Sequence, residues 1–120
     1  MINQVTLVGR LTKDPDLRYT AEGHAVSNIT IAVNRHYRNE HGGYDADFVQ
    51  CTIWKKSAEN TAQYCRKGGL IGVTGRIQTR HYQDSADKRV FVTEVVADQV
   101  TFIGNKRQSG ERQDSEAILR

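Results

Sequence analysis

Aromatic and basic side chains occur together at three separate places in this sequence. They are the segments Arg35 to Arg38, Trp54 to Lys56 and Arg80 to Tyr82. Aromatic rings can stack on the flat faces of nucleobases, while neighbouring arginine and lysine side chains neutralise phosphates. The combination indicates a surface for single-stranded nucleic acid, provided that the elements carrying these segments bring them to one surface.

Alternating apolar and polar residues predict five strands and one helix. The strands cover residues 3–11, 28–37, 47–55, 71–82 and 89–103. Between the third and fourth strands, Ser57 as N-cap, Glu59 in the first turn and Gly68-Gly69 as a stop predict a short helix. This order is typical of the OB-fold, a mainly β, five-stranded Greek-key barrel with one short helix between strands 3 and 4. An unrelated α+β sandwich could give the same order.

The period-2 alternation also decides which side chains share a face. On the third strand, Phe48 and Trp54 share the even-numbered face with polar residues, whereas the odd-numbered face is apolar. On the fourth strand, Arg76, Arg80 and Tyr82 lie on one face. A core face would not alternate aromatic with polar residues, and a face that meets only solvent would not carry Phe and Trp. The expected core includes Val49, Cys51, Ile53, Ile71, Val73, Ile77, Phe91 and Phe102.

The residues themselves leave other roles open. Phe48 and Trp54 could be half-buried in an oligomer interface, where aromatic residues are enriched. Tyr37 and Tyr82 lie beside predicted turns, where tyrosines are common. Arg66-Lys67 could simply interact with the dipole of the predicted helix. The nucleic-acid hypothesis therefore depends on the joint pattern rather than on any one residue.

Composition excludes several classes of protein. The chain has 120 residues, a net charge of +3 and 26% charged residues, which suits one folded domain rather than a disordered chain. No apolar run approaches the ~20 residues that span a bilayer, and no signal peptide is visible, so we expect a cytoplasmic location without membrane contact. Cys51 and Cys65 lack zinc or redox spacing and should be reduced packing residues. No catalytic or metal motif is present, which predicts a non-enzymatic protein without a cofactor.

Six segments resemble, in order, those of bacterial single-stranded DNA-binding proteins. They are Val5 to Leu11, Asp14 to Tyr19, Asn28 to Ala32, Ala62 to Gly68, Gly75 to Arg80 and Thr93 to Ala97, so the resemblance covers roughly residues 1–103. The resemblance implies an OB-fold that assembles as a homotetramer, with single-stranded DNA wrapped over its surface. It also implies association with the nucleoid.

The resemblance implies stacking roles at the aromatics that the alternation also selects, namely Tyr37, Phe48, Trp54 and Tyr82. Among basic residues, those in matching segments are Lys56, Arg66, Lys67, Arg76 and Arg80. Two more, Arg35 and Lys55, are assigned from their positions beside an aromatic. All seven are predicted to contact phosphates.

The domain organisation is simple. Residues 1–103 are predicted to form one OB-fold domain that binds single-stranded DNA, and residues 104–120 a short polar, flexible tail, because 104–116 contains no apolar residue. Replicative members of the family end in a long linker and an acidic tip that recruits other proteins. This tail lacks such a tip and resembles short forms linked to DNA uptake or mobile elements, so few tail-mediated protein partners are expected.

The leading hypothesis is a binder of single-stranded DNA with little sequence preference, which protects the DNA during replication, recombination, repair or uptake. One alternative is an RNA-binding OB domain, and competition between matched DNA and RNA oligomers distinguishes it. The other is a structural oligomerisation module whose aromatics form a protein interface. In that case the fluorescence of Trp54 would not change when DNA is added.

Overall fold

The computed structural model describes residues 1–104, which form a closed barrel of long strands. Its elements are β1 (Val5–Leu11), β2 (Arg18–Tyr19), β3 (Ala25–Arg38), β4 (Tyr44–Trp54), α1 (Lys55–Tyr64), β5 (Leu70–Gln83) and β6 (Arg89–Gly104). The predicted OB-fold is confirmed, since β1, β3, β4, β5 and β6 are the five expected strands and α1 lies between the third and fourth of them. The two-residue β2 is additional. The predicted tail, apart from Gly104, lies outside the described residues.

Two antiparallel hairpins and β1 close the barrel. β3 pairs with β4, β5 pairs with β6, and β1 pairs with β5 from Val5 to Arg10. At Arg10 and Leu11, β1 also pairs with β3, which joins the sheet order β1-β5-β6-β4-β3-β2 into a barrel. A short parallel pairing of β4 with β6 completes the sheet.

Odd-numbered residues make up most of the barrel interior, as the alternation predicts, and even-numbered Val100 of β6 also packs against them. Helix α1 covers one end of the barrel through Ala58 and Thr61, which are both 0% exposed. Within residues 1–104, no helix has the length and apolar composition needed to cross a membrane. The strand residues that are at most 4% exposed include Ile29, Ile31, Cys51, Ile53, Ile71, Val73 and Val95.

Helix α1 begins earlier than the sequence predicts. Its N-cap is Trp54 rather than Ser57, and Ser57 lies inside the helix. Lys55 makes the turn from β4 with a φ of +62°, so the strand passes directly into the helix without a side-chain cap. Glu59 consequently lies beyond the first turn, which contains no acidic residue. The early start places the Trp54 ring at the junction of strand and helix.

Both hairpins extend beyond the barrel as two-stranded arms. The β3–β4 arm comprises residues 34–48 and the β5–β6 arm residues 77–93. Both faces of these arms meet solvent, so Ile77 and Phe91, expected in the core, are 47% and 70% exposed. Phe102, at the other end of β6, is also 44% exposed. These predictions are wrong because alternation identifies the apolar face of a strand but not where the barrel beneath it ends.

A β-bulge lies between the barrel and the β5–β6 arm. The pairing with β6 shifts between Thr74 and Gly75, which leaves Asp98 as an extra residue on β6. A Cβ atom at position 75 would lie 2.0 Å from the carbonyl oxygen of Val96, so only glycine permits this approach. From Arg76 onward, the bulge brings even-numbered residues of β5 opposite even-numbered residues of β6.

Replacing Gly75 with alanine should destabilise the fold, because β5 and β6 must separate locally to admit the methyl group. We expect the free energy of unfolding to fall by roughly 1–3 kcal/mol. Gly72→Ala in the same strand is the control, since its added Cβ would meet no atom closer than 3.7 Å. Urea unfolding followed by circular dichroism measures both variants, and equal losses would contradict the role of Gly75.

Both cysteines are free and buried. Burial, and to a smaller extent the negative charge of Glu94, raises the pKa of the Cys51 thiol to about 11. Because the thiolate is the reactive form, Cys51 at pH 9 should react with iodoacetamide at least on the order of tenfold more slowly in the folded protein than in urea. Mass spectrometry of the alkylated peptides measures both rates. Comparable rates would contradict the burial of this thiol.

Candidate nucleic-acid interface

Four strands form one continuous outer face of the barrel. Arg76 pairs with Val96, Val96 with Thr52, and Thr52 with Asn28, so a row of residues crosses β5, β6, β4 and β3. Residues that pair directly project to the same side of a sheet. We call this side the even face, because it carries the even-numbered residues within 26–34, 46–54, 76–82 and 90–96.

Three of the four predicted stacking aromatics are exposed on the even face. Phe48, Trp54 and Tyr82 are 69%, 40% and 49% exposed. Phe48 belongs to the β3–β4 arm, Trp54 to the junction with α1, and Tyr82 to the β5–β6 arm. Side chains with this exposure can be reached by a ligand. The structure therefore places all three on the face that the alternation predicts.

Tyr37 and Arg35 lie on the other side of the β3–β4 arm from Phe48. The Arg35 Nη2 atom is 2.9 Å from Oδ1 of Asp47, and the Arg35 Nη1 atom donates a hydrogen bond to the Tyr37 hydroxyl at 3.4 Å. Asp47 precedes Phe48 in β4, so their side chains project to opposite sides. Hydrogen bonding from Arg35 lowers the pKa of Asp47, which favours the charged pair. A ligand touching both Tyr37 and Phe48 must therefore cross the edge of this arm.

The two predicted arginines of β5 lie on the even face, each beside a carboxylate of β6. Arg76 Nη1 is 3.3 Å from Asp98 Oδ1, and Arg80 Nε is 3.4 Å from Glu94 Oε1. The side chains of Arg76 and Arg80 are 48% and 52% exposed, so an incoming anion can reach both. Their positive charge is partly neutralised by these carboxylates before any ligand binds.

Lys55 and Lys56 follow Trp54 directly and are exposed at the start of α1. Among the described ion pairs, none involves either lysine. Both positive charges therefore lie next to an exposed aromatic ring. This is the arrangement that the sequence predicts at this position.

Arg66 and Lys67 follow the other end of α1. Arg66 Nη1 donates hydrogen bonds of 3.1, 3.3 and 2.7 Å to the carbonyl oxygens of residues 62, 63 and 65, so its guanidinium caps the helix. This contact matches the alternative in which these residues interact with the helix end. Between Leu70 and Arg80, β5 extends for about 33 Å. The structure therefore does not bring Arg66 and Lys67 together with the arginines of the β5–β6 arm.

Arg18 lies on the same side of the sheet as Trp54, although the sequence did not select it as a site residue. Arg18 pairs with Val26, and Val26 pairs with Trp54, so two strand spacings, about 10 Å, separate Arg18 from Trp54. The neighbouring Tyr19 hydroxyl donates a 3.0 Å hydrogen bond to Glu59, which raises the pKa of Tyr19 and ties β2 to α1. The adjacent basic and aromatic residues at 18–19 were the available signal, since a two-residue strand shows no alternation.

The even face crosses four strands and extends onto both arms. A groove of about 480 Å³ between β4 and β6 is lined by Phe48, Val49, Gln50, Phe91, Val92 and Thr93. Within residues 1–104, no group of three or more His, Cys, Asp or Glu side chains could hold a metal ion. A long face with aromatic and basic side chains suits a flexible polymer better than a small molecule.

Comparison with known proteins identifies the family. A sequence model described as the "Single-strand binding protein family" matches residues 2–103. The chain is 60% identical over 106 residues to "Single-stranded DNA-binding protein B" of Bacillus subtilis, an alignment that covers 88% of this chain and 94% of that protein. It is 61% identical over 103 residues to "Single-stranded DNA-binding protein 2" of Listeria innocua, covering 86% of this chain and 65% of that protein. The chain therefore belongs to the single-strand binding protein family.

Proposed function

We propose that this chain binds single-stranded DNA, with little sequence preference, across the even face. The observation that carries the proposal is the presence of exposed Phe48, Trp54 and Tyr82 on one face with Arg76 and Arg80. The names of the relatives from Bacillus subtilis and Listeria innocua describe proteins that bind single-stranded DNA, and this supports the proposal.

Stacking and charge would act on different parts of the DNA. Each base stacked on an aromatic ring contributes roughly 1–3 kcal/mol, and every base has such a face, so the contact tolerates any sequence. A duplex hides its base faces, which favours single strands. Phe48, Trp54 and Tyr82 are the proposed stacking residues. Tyr37 would join them where the strand crosses the edge of the β3–β4 arm.

Phosphate contacts are best supported for residues whose charge reaches the even face. Arg76 and Arg80 lie on this face, and Lys55 and Lys56 lie beside Trp54. Arg18, which shares a side of the sheet with Trp54, is added to this set. The other predicted phosphate contacts lie away from the even face, so a longer stretch of DNA would be needed to reach them, and they are Arg35, Arg66 and Lys67.

The biological role follows from this ligand. We propose that the protein protects single-stranded DNA during replication, recombination, repair or uptake, and that it acts on the nucleoid in the cytoplasm. Nothing in the family match or in the described residues points to a catalytic activity, and we propose that the protein is not an enzyme.

We also propose that the protein forms a homotetramer, and exposed apolar side chains such as Val8 and Ile77 support this proposal. Sedimentation equilibrium should then give four times the chain mass of 13.6 kDa.

Trp54→Ala should weaken binding of oligo-dT by roughly 1–3 kcal/mol, because it removes one stacking surface. The helix start should survive, since Trp54 caps α1 through its backbone and makes no side-chain cap hydrogen bond. Fluorescence anisotropy of labelled oligo-dT measures the affinity, and circular dichroism checks the fold. Trp54→Phe should retain most of the binding.

Tyr64→Ala is the matched control for this experiment. Tyr64 is 56% exposed but contacts Phe102 near the far end of α1, with the ring centroids 6.1 Å apart. Its loss should leave oligo-dT affinity unchanged. Normal binding by folded Trp54→Ala would remove Trp54 from the interface and favour a purely structural role. Tighter binding of a matched RNA oligomer by the wild type would favour an RNA-binding function instead.

Arg80→Ala should make oligo-dT binding less sensitive to salt. Each phosphate contact releases about 0.7 of a counterion from single-stranded DNA, so the slope of log K against log salt should decrease in magnitude by about that amount. Arg10→Ala is the control, because Arg10 is not among the predicted phosphate contacts and its Nη1 atom donates a 2.8 Å hydrogen bond to the carbonyl oxygen of Gly68, so its slope should match the wild type. Titrations at several NaCl concentrations measure the slopes. If Arg80→Ala leaves the slope unchanged, Arg80 does not contact a phosphate.

A further inference from the structure

Glu94 is a buried carboxylate to which the proposed DNA contacts give no role. It lies next to the base of the β5–β6 arm, and its side chain is 8% exposed, whereas the side chain of Asp98 on the same strand is 61% exposed. Carboxylates are rarely buried unless a charge or hydrogen bond compensates them. Glu94 has two such contacts, because Oε2 accepts a 3.3 Å hydrogen bond from Thr52 and Oε1 lies 3.4 Å from Arg80 Nε.

The two carboxylates of β6 engage different nitrogens of their arginines. Asp98 contacts Nη1 of Arg76, which is one of the terminal nitrogens. The shortest contact of Glu94 with Arg80 is an ion pair of 3.4 Å to Nε, and within residues 1–104 no atom forms a hydrogen bond with Nε, Nη1 or Nη2 of Arg80. An arginine holds a phosphate most firmly when two of its nitrogens form parallel hydrogen bonds with it. Each carboxylate therefore leaves at least two nitrogens of its arginine without a hydrogen bond, and the two pairs differ mainly in burial, because Glu94 is buried whereas Asp98 is exposed.

Glu94 is also connected to the stacking surface. Thr52, which donates to Glu94, lies on the even face of β4, two positions before Trp54. The Thr52 hydroxyl is also 3.2 Å from Oδ1 of Asn28 on β3. Contacts through Glu94 thus connect Arg80 on β5 to the strands that carry the aromatic side chains. A change at Glu94 would alter how Arg80 is held relative to these strands.

We propose that Glu94 is a positioning residue for DNA binding, which holds Arg80 through Nε so that Nη1 and Nη2 face a phosphate on the even face. This inference rests on the proposed function. It predicts an effect opposite in sign to simple electrostatics. A carboxylate near a DNA site weakens binding through its charge, whereas a carboxylate that orders an arginine beforehand reduces the side-chain entropy lost when DNA binds.

The test compares Glu94→Gln with Asp98→Asn, two substitutions that each remove one negative charge from β6. Binding of oligo-dT by the full chain is measured by fluorescence anisotropy. Glu94→Gln should weaken binding about twofold to tenfold, because Arg80 must then be ordered during binding. Asp98→Asn should leave binding unchanged or strengthen it. In an Arg80→Ala background, Glu94→Gln should have no further effect.

Two outcomes of this comparison would overturn the inference. If Glu94→Gln strengthens binding as Asp98→Asn does, Glu94 is only a repelling charge. If Glu94→Gln weakens binding equally in the Arg80→Ala background, Glu94 acts through the fold rather than through Arg80. A wild-type chain that does not bind oligo-dT would instead contradict the proposed function itself, which separates the two failures.

Arg80→Lys provides a second test if Glu94→Gln does not fold. Lysine retains the positive charge, but it lacks an Nε–H for Glu94 together with a separate pair of terminal nitrogens for a phosphate. Arg80→Lys should therefore weaken binding nearly as much as Arg80→Ala. Affinity equal to that of the wild type would show that the charge alone suffices and would overturn the inference.

Discussion

The parallel pairing of β4 with β6 is the contact on which the arrangement of the proposed DNA-binding side chains depends. It joins the two antiparallel hairpins at Cys51 and Thr52, which lie opposite Val95 and Val96. Because paired residues project to the same side, this pairing places Cys51 and Val95 together in the core and Thr52 and Val96 together on the even face. Aromatic and basic residues that are far apart in the sequence therefore lie together on the even face.

The two arginines of β5 on this face are each paired with a carboxylate of β6. Arg76 lies beside an exposed carboxylate, whereas Arg80 lies beside the buried Glu94. Exposed ion pairs contribute little to stability and exchange readily for a phosphate. A buried carboxylate is harder to replace, which makes it suited to holding an arginine in one orientation. In the proposed interface, the same kind of pair thus restrains phosphate binding at Arg76 and prepares it at Arg80.

The sequence predicted the barrel well because period-2 alternation follows directly from the pleat of a strand. The strand faces carrying Phe48, Trp54 and Tyr82 came from the same rule. The same rule wrongly predicted that Ile77 and Phe91 are buried in the core, because alternation does not show where the hairpins extend beyond the barrel. Ion pairs such as that of Glu94 join residues of different strands, so no local pattern could predict them. The start of α1 depended on the backbone turn at Lys55 rather than on a capping side chain.

The central claim is that single-stranded DNA lies on the even face across both arms. Ultraviolet cross-linking of the full chain to oligo-dT, followed by mass spectrometry of the linked peptides, tests it most directly. We expect cross-links at Phe48, Trp54 and Tyr82, and none at Tyr64, which is equally accessible but lies elsewhere. Cross-links confined to Tyr64 and Phe102, with none on the even face, would contradict the account.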